Sequence, residues 1–213
     1  TLPILVGVCG LSAALAILQD ARSMAVIGIC GGFLAPVLAS TGSGNHVALF
    51  SYYAILNAGI VAIAWFKAWR PLYVLGFLCT FGIGSLWGAK NYREELFAST
   101  EPFLLLFFAM YLLVTLLYAR RRQEEPLSPA VHVAGERVDY VDGTLVFGTP
   151  LAAFGLQYLM VRDMALGSAF SALALGLIYL PLATLLYRRG GMGSRLLVES
   201  FLALGVVFAS LAI

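Results

Sequence analysis

Charge is shut out of long stretches of this sequence, and that exclusion limits the folds open to it. Eight apolar runs, 2–19, 24–39, 47–66, 72–88, 102–119, 144–161, 164–187 and 196–213, take up 149 of the 213 residues. A helix that crosses a bilayer needs about 20 apolar residues, with a range of roughly 17–25. Of the thirteen basic and eleven acidic residues, only Glu199 falls within a run. A soluble helical core would carry charge along the outer face of every helix instead. Composition agrees: 61% of residues are hydrophobic and 11% charged, where a soluble domain carries about 25% charged residues. Water-soluble classes are thereby excluded. A net charge of +2, with no basic stretch interleaved with aromatics, excludes a nucleic-acid surface. The expected fold is all-α, a polytopic transmembrane helical bundle of about eight spans, with the lipid bilayer as its first partner.

The connections are punctuated as helix ends require. Ser23 is placed to cap the second run, Ser99-Thr100-Glu101-Pro102 to start the fifth, and Asp142-Gly143-Thr144 to turn into the sixth. Residues 40–46 read as a flexible polar loop, and 120–143, with Arg120-Arg121-Arg122 and two prolines, as an irregular connection. The organisation expected is a first five-span membrane unit at 1–119, a cytoplasmic connecting loop at 120–143 and a second, incomplete unit at 144–213. Connections after odd-numbered runs hold ten basic residues and those after even-numbered runs three. The positive-inside bias then puts the odd loops in the cytoplasm and both ends outside. Trp65, Trp69, Tyr73, Trp87, Tyr92, Tyr118 and Tyr187 fall where a bilayer interface would hold them. The chain opens at Thr1-Leu2-Pro3 inside an apolar run without signal-peptide features, and stops at Ala212-Ile213 without a charged flank. It is expected to be a segment of a longer multi-pass protein, whose remainder is a partner.

Two stretches share a pattern. Asp20 is followed 16 residues later by Pro36, within Phe33-Leu34-Ala35-Pro36-Val37-Leu38; Asp163 is followed 18 residues later by Pro181, within Ile178-Tyr179-Leu180-Pro181-Leu182-Ala183. Runs one to three would then correspond to runs six to eight, in opposite directions across the membrane. Inverted repeats with an odd number of spans characterise secondary transporters, whose site lies near the midplane. Chance likeness between apolar hairpins is the competing explanation. A true repeat implies an inverted five-plus-five fold truncated after span eight.

Enzyme signatures are sparse. His46 and His132 lie in connections without metal-ligand spacing, and Cys9, Cys30 and Cys79 sit in separate runs. The glycine runs at 28–32 and 42–44 lack the setting of a phosphate loop. No catalytic residue, metal or cofactor is expected. Lys90-Asn91-Tyr92-Arg93-Glu94-Glu95, with Glu101, reads as a short solvated amphipathic helix.

Candidate substrate-binding residues are those that are polar, or break a helix, at depth. Asn57 lies close to the midpoint of its run and must bond another helix or line a cavity. Tyr53 stands one turn before it on the same face, and Gln157 is a shallower case. Pro36 and Pro181 should kink or end their helices and free carbonyls. Glu199 qualifies because an unpaired charge inside a bilayer is costly, and a pair with Arg195, four residues earlier, is its structural alternative. Gly28 with Gly32, Gly84 with Gly88, and Ser168-Ala172-Gly176 form small-residue faces on which helices can touch.

The run from Gly31-Gly32-Phe33-Leu34-Ala35-Pro36 to Gly42-Ser43-Gly44-Asn45-His46 resembles a family of large bacterial predicted membrane proteins of unknown function. The resemblance continues through Thr80–Gly88, Asp142–Leu151 and Leu202–Ala209, and so covers essentially the whole chain. It implies a bacterial inner-membrane location and a parent chain with many more spans, and carries over no catalytic residue. The five-plus-five arrangement is similar in topology to the drug/metabolite transporter superfamily. Two functions follow as expectations. The first is a transporter-like segment for a small metabolite or lipid-linked molecule, its site bounded by Asn57, Tyr53, Pro36 and Pro181. The second is a structural or assembly module for cell-envelope partners. An intramembrane enzyme is the weakest of the three classes weighed.

Sidedness is directly measurable. Ser43→Cys and Ser128→Cys should be labelled by an impermeant thiol reagent from opposite sides of the membrane. Labelling of both from one side would refute the charge count.

Overall fold

Seven α-helices and one 3-10 turn make up the described part of the chain. The computed structural model describes Leu11 and residues 22–38, 45–124, 143–189 and 195–213. In chain order the helices are α1 (Arg22–Leu38), α2 (His46–Phe66), α3 (Arg70–Asn91), α4 (Phe97–Glu124), α5 (Gly143–Val161), α6 (Gly167–Arg189) and α7 (Arg195–Leu211). The 3-10 turn, Glu94–Leu96, leads into α4. No strand occurs among these residues, as an all-α chain requires.

Among the described residues, five helical segments have the length and hydropathy to cross a bilayer: His46–Phe66, Arg70–Asn91, Glu94–Arg121, Gly143–Val161 and Gly167–Arg188. The expected count of eight is not supported. Run 2–19 lies outside the described residues apart from Leu11, and runs 24–39 and 196–213 form helices of 17 residues. At 1.5 Å per residue such a helix reaches about 25 Å, at the lower limit of the roughly 17–25 residues that a span takes.

Local chemistry sets the helix ends. Asn45 caps α2, its Oδ1 accepting the Ala48 N–H at 3.1 Å. Pro71 falls in the first turn of α3, where a missing N–H costs nothing. Helix α4 starts at Phe97, ahead of the expected start around Pro102, and runs through Arg120-Arg121-Arg122 to Glu124. Arginine favours helix and nothing in 119–124 breaks one, so the connection expected to be irregular from 120 is helical to 124. Residues 125–142 lie outside the described residues. The charged cluster at 90–95 is not a helix of its own, because α3 runs to Asn91 and a single 3-10 turn follows. Between α5 and α6, Leu166 adopts a φ of 62°. Gly167 follows it, where a Cβ would stand 2.8 Å from the Val161 carbonyl oxygen.

The chain divides into two compact units, Thr1–Tyr118 and Ala119–Ile213. In the first, α1, α2 and α3 pack on one another, and α4 joins them through rings, with Phe50 of α2 against Phe103 and Phe107. In the second, α6 packs along α7, and α5 touches both. Tyr179 of α6 meets Phe201 and Phe208 of α7, with ring centroids 5.3 and 6.4 Å apart. The backbones close in where side chains are smallest. A Cβ on Gly205 would lie 2.7 Å from Leu180 Cγ, and one on Gly176 would lie 3.3 Å from the Ala209 nitrogen. Phe170, Leu177, Leu202 and Val206 face outward, which only a non-aqueous surround tolerates in such number.

Overpacking at Gly205 tests this contact. Gly205→Val should cost about 1–3 kcal/mol, read as a lower thermal midpoint in detergent. Gly155→Val, placed in open space, should stay within about 0.5 kcal/mol. Equal shifts would refute the close approach of α6 and α7.

Candidate functional site

Three polar side chains meet at mid-depth in the first unit. Asn57 lies near the middle of α2 and Thr80 near the middle of α3, and Tyr111 comes from α4. They are 1%, 3% and 1% exposed. Asn57 Nδ2 donates to Thr80 Oγ1 at 2.9 Å, and Tyr111 OH donates to Asn57 Oδ1 at 2.6 Å. The single Thr80 proton has two acceptors in reach, Asn57 Oδ1 at 3.1 Å and Tyr111 OH at 3.3 Å. An amide oxygen accepts two hydrogen bonds, so donation by Thr80 to Asn57 fills it.

Space for this triad comes from Gly76, one turn before Thr80. A Cβ there would stand 2.7 Å from Tyr111 OH and press on Ile60 Cδ1. Thr115, one turn beyond Tyr111, donates to the Tyr111 carbonyl at 2.8 Å.

A second group of bonds surrounds the proline of α1. Pro36 lies two residues before the end of that helix. It has no N–H, so the Gly32 carbonyl loses its helical donor, and its ring crowds the preceding turn. Tyr52 OH donates to Gly32 O at 2.9 Å, and Tyr53 OH donates to Phe33 O at 3.2 Å. The rings of Tyr53 and Phe33 stack at 5.3 Å. Tyr52 therefore takes the carbonyl that Pro36 frees, and Tyr53, one turn along α2 from Asn57, takes the next one.

The first unit thus contains Asn57, Tyr53 and Pro36, and the second contains Gln157, Pro181 and Glu199. Gln157 is half-buried on α5, and Pro181 is exposed on α6, which continues to Arg189. Arg195 Nε donates to Glu199 Oε1 at 2.8 Å in an exposed pair on α7. Among the described residues no group of three His, Cys, Asp or Glu is placed to hold a metal.

His46 is the first residue of α2, and its Nε2 lies 2.8 Å from Ser99 Oγ on α4. Ser99 donates its own proton to Leu96 O at 3.0 Å, so it accepts from His46. The imidazole also lies against Trp87 of α3, at 5.2 Å between centroids. Beyond the end of α3, burial and then the charges of Glu94 and Glu101 push the Tyr92 phenol above its usual 10.0.

Sequence reasoning singled out neither Thr80, Tyr111, Tyr52 nor Gly76 for these roles. Mid-run position, the signal that found Asn57, also marks Thr80.

Comparison with known proteins gives one family. The model described as "Predicted membrane protein (DUF2339)" matches residues 1–213. No curated protein and no solved structure matches the chain.

The triad makes a quantitative prediction. Asn57→Ala and Tyr111→Phe should each lower stability by about 1 kcal/mol. The double variant should cost less than their sum, by about 0.6 and at most about 1.7 kcal/mol. Strict additivity in thermal unfolding would show that the two side chains are not bonded.

Proposed function

The chain belongs to the DUF2339 family of predicted membrane proteins, and from that premise we propose that it is a structural and assembly module of a multi-pass membrane protein. Its buried polar groups bind helices to each other, and its apolar outer faces meet lipid, the rest of a parent chain and cell-envelope partners. The observation that carries this reading is the cross-helix bonding at Asn57. Its carbonyl oxygen and its amide nitrogen both have protein partners, Thr80 and Tyr111. Tyr53 is likewise engaged with Phe33 O, and Glu199 is held by Arg195. On this reading Pro36 and Pro181 shape their helices, and Gln157 packs within the second unit. On this reading the odd-numbered connections are cytoplasmic, as the ten-to-three distribution of basic residues suggests, and the resemblance to a bacterial family suggests the inner membrane as the setting.

One observation favours the alternative, transport of a small metabolite or lipid-linked molecule. Tyr53 and Asn57 share a face of α2 at mid-depth, beside the end of α1 that carries Pro36. In transporters such breaks border the site, and an inverted five-plus-five repeat truncated after eight spans would extend that likeness. A ligand would then have to displace the bonds described above.

Cys79, half-buried and next to Thr80, distinguishes the two. With Cys9 and Cys30 replaced by alanine, an impermeant maleimide should leave Cys79 unlabelled in sealed vesicles of either orientation. Labelling from either side would reveal water beside the triad, and transport would replace assembly as the reading.

A further inference from the structure

Helix α5 carries a proline inside it, and a polar side chain next to that proline is left over. Pro150 has no N–H, so the Val146 carbonyl, one turn earlier, loses its helical donor. Beside Pro150 stands Thr149, 1% exposed, whose buried Oγ1 has no hydrogen-bond partner among the described residues. Ser85, Thr115, Ser171, Thr184, Ser200 and Ser210 all bond the carbonyl four residues earlier in their own helices. Thr149 does not. Residues three and four apart share a helix face, so the hydroxyl at 149 and the deprived carbonyl at 146 lie on one side of α5. Leu145, Val146, Thr149 and Ala153 are all buried, so that side is turned into the second unit. Thr100 is a weaker case. Pro102 deprives the Ala98 carbonyl, which stands only two residues before Thr100 and therefore on another face.

Both groups of α5 need a partner, and bulk water is distant. The helix has the length and hydropathy of a membrane span, and residue 149 lies six residues past its start, about 9 Å along the axis. In membrane helices, neighbouring side chains or ordered waters restore the bonds that a proline removes. In α1 a side chain does so, Tyr52. In α5 the enclosed position admits only a small occupant, one with a proton to give and a lone pair to receive. We propose that this turn of α5 binds a single water molecule, which accepts the Thr149 hydroxyl proton and donates to the Val146 carbonyl. Two polar partners suffice to hold a buried water. The bound water closes the proline turn as Tyr52 closes that of α1. The site belongs to the second unit, apart from the triad, and holds whether the chain assembles partners or transports.

Water-edited solid-state NMR of the full chain in phosphatidylcholine bilayers tests it. Carbon-13 threonine combined with nitrogen-15 proline and phenylalanine selects two residues, because Thr149-Pro150 and Thr80-Phe81 are the only Thr-Pro and Thr-Phe pairs in the sequence. Magnetisation from water should reach Thr149 several-fold faster than Thr80, whose hydroxyl is bonded within the protein. Pro150→Ala returns a donor to the Val146 carbonyl. Read with nitrogen-15 alanine, it should slow the transfer at Thr149 to the Thr80 rate. Slow transfer at both threonines of the unaltered chain would overturn the water site. Fast transfer at both would overturn a single bound water in favour of a hydrated cavity that reaches the triad. Fast transfer that survives Pro150→Ala would overturn the Val146 carbonyl as the partner of the water.

Discussion

Hydrocarbon supplies no hydrogen-bonding partner, so a polar group inside a membrane bundle must find one in the protein. Several hydroxyls here find it within their own helix. Ser85, Thr115, Ser171, Thr184, Ser200 and Ser210 each donate to the carbonyl four residues earlier. A carboxamide at mid-helix has more to satisfy, a two-proton donor and an acceptor with two lone pairs. Asn57 meets three of those four needs across helices, and in doing so ties α2, α3 and α4 together at one level. Everything near it is arranged accordingly: Gly76 gives way to Tyr111, and Thr80 faces the amide. Among the described residues the buried hydroxyls of Thr100 and Thr149 have no such partner; each stands within two residues of a proline.

The same constraint explains the tyrosine pair. Successive residues on a helix point about 100° apart, so Tyr52 and Tyr53 do not reach one spot. They do not need to. The carbonyl that Pro36 deprives of its donor, that of Gly32, and the next one along, that of Phe33, belong to successive residues as well, and each hydroxyl takes one. Proline in a membrane helix is tolerated where a neighbour re-satisfies the freed backbone. Here Tyr52 of the neighbouring helix does so.

Much of this was legible in the residues, and the remainder was hidden for physical reasons. Apolar run length and charge exclusion located α2 to α6, because both report directly on the solvent a helix meets. Asn57 announced itself, since a carboxamide among isoleucines and alanines has no local way to be satisfied. Its partners did not. A threonine usually bonds its own helix and a tyrosine usually sits at an interface, so Thr80 and Tyr111 carry their roles only through the geometry of three helices. Helix ends were misread where charge was taken for a boundary. Arg120-Arg121-Arg122 ends an apolar run but not a helix, because hydropathy and backbone propensity are separate properties. Run 24–39 is the shortest of the eight at 16 residues, and the helix it forms is among the shortest too, at 17.

The two units reach close packing by different means, and the difference bears on function. In the second, glycine sets the distance between α6 and α7: Gly205 and Gly176 let backbones touch, and dispersion over Tyr179, Phe201 and Phe208 does the rest. Dispersion is non-directional and weakens gradually as helices slide. In the first unit the contacts are directional. Hydrogen bonds of 2.6–3.1 Å about Asn57 weaken steeply with angle and length, so a small shift of α3 against α2 forfeits the triad as a whole. A single buried asparagine is known to fix register in helical assemblies at some cost in stability. Asn57 fits that use: it selects one arrangement of three helices over slipped alternatives that would leave an amide alone in hydrocarbon. A residue employed to make one arrangement unique is poorly suited to open and close around a ligand, and this is the physical reason for preferring assembly to transport.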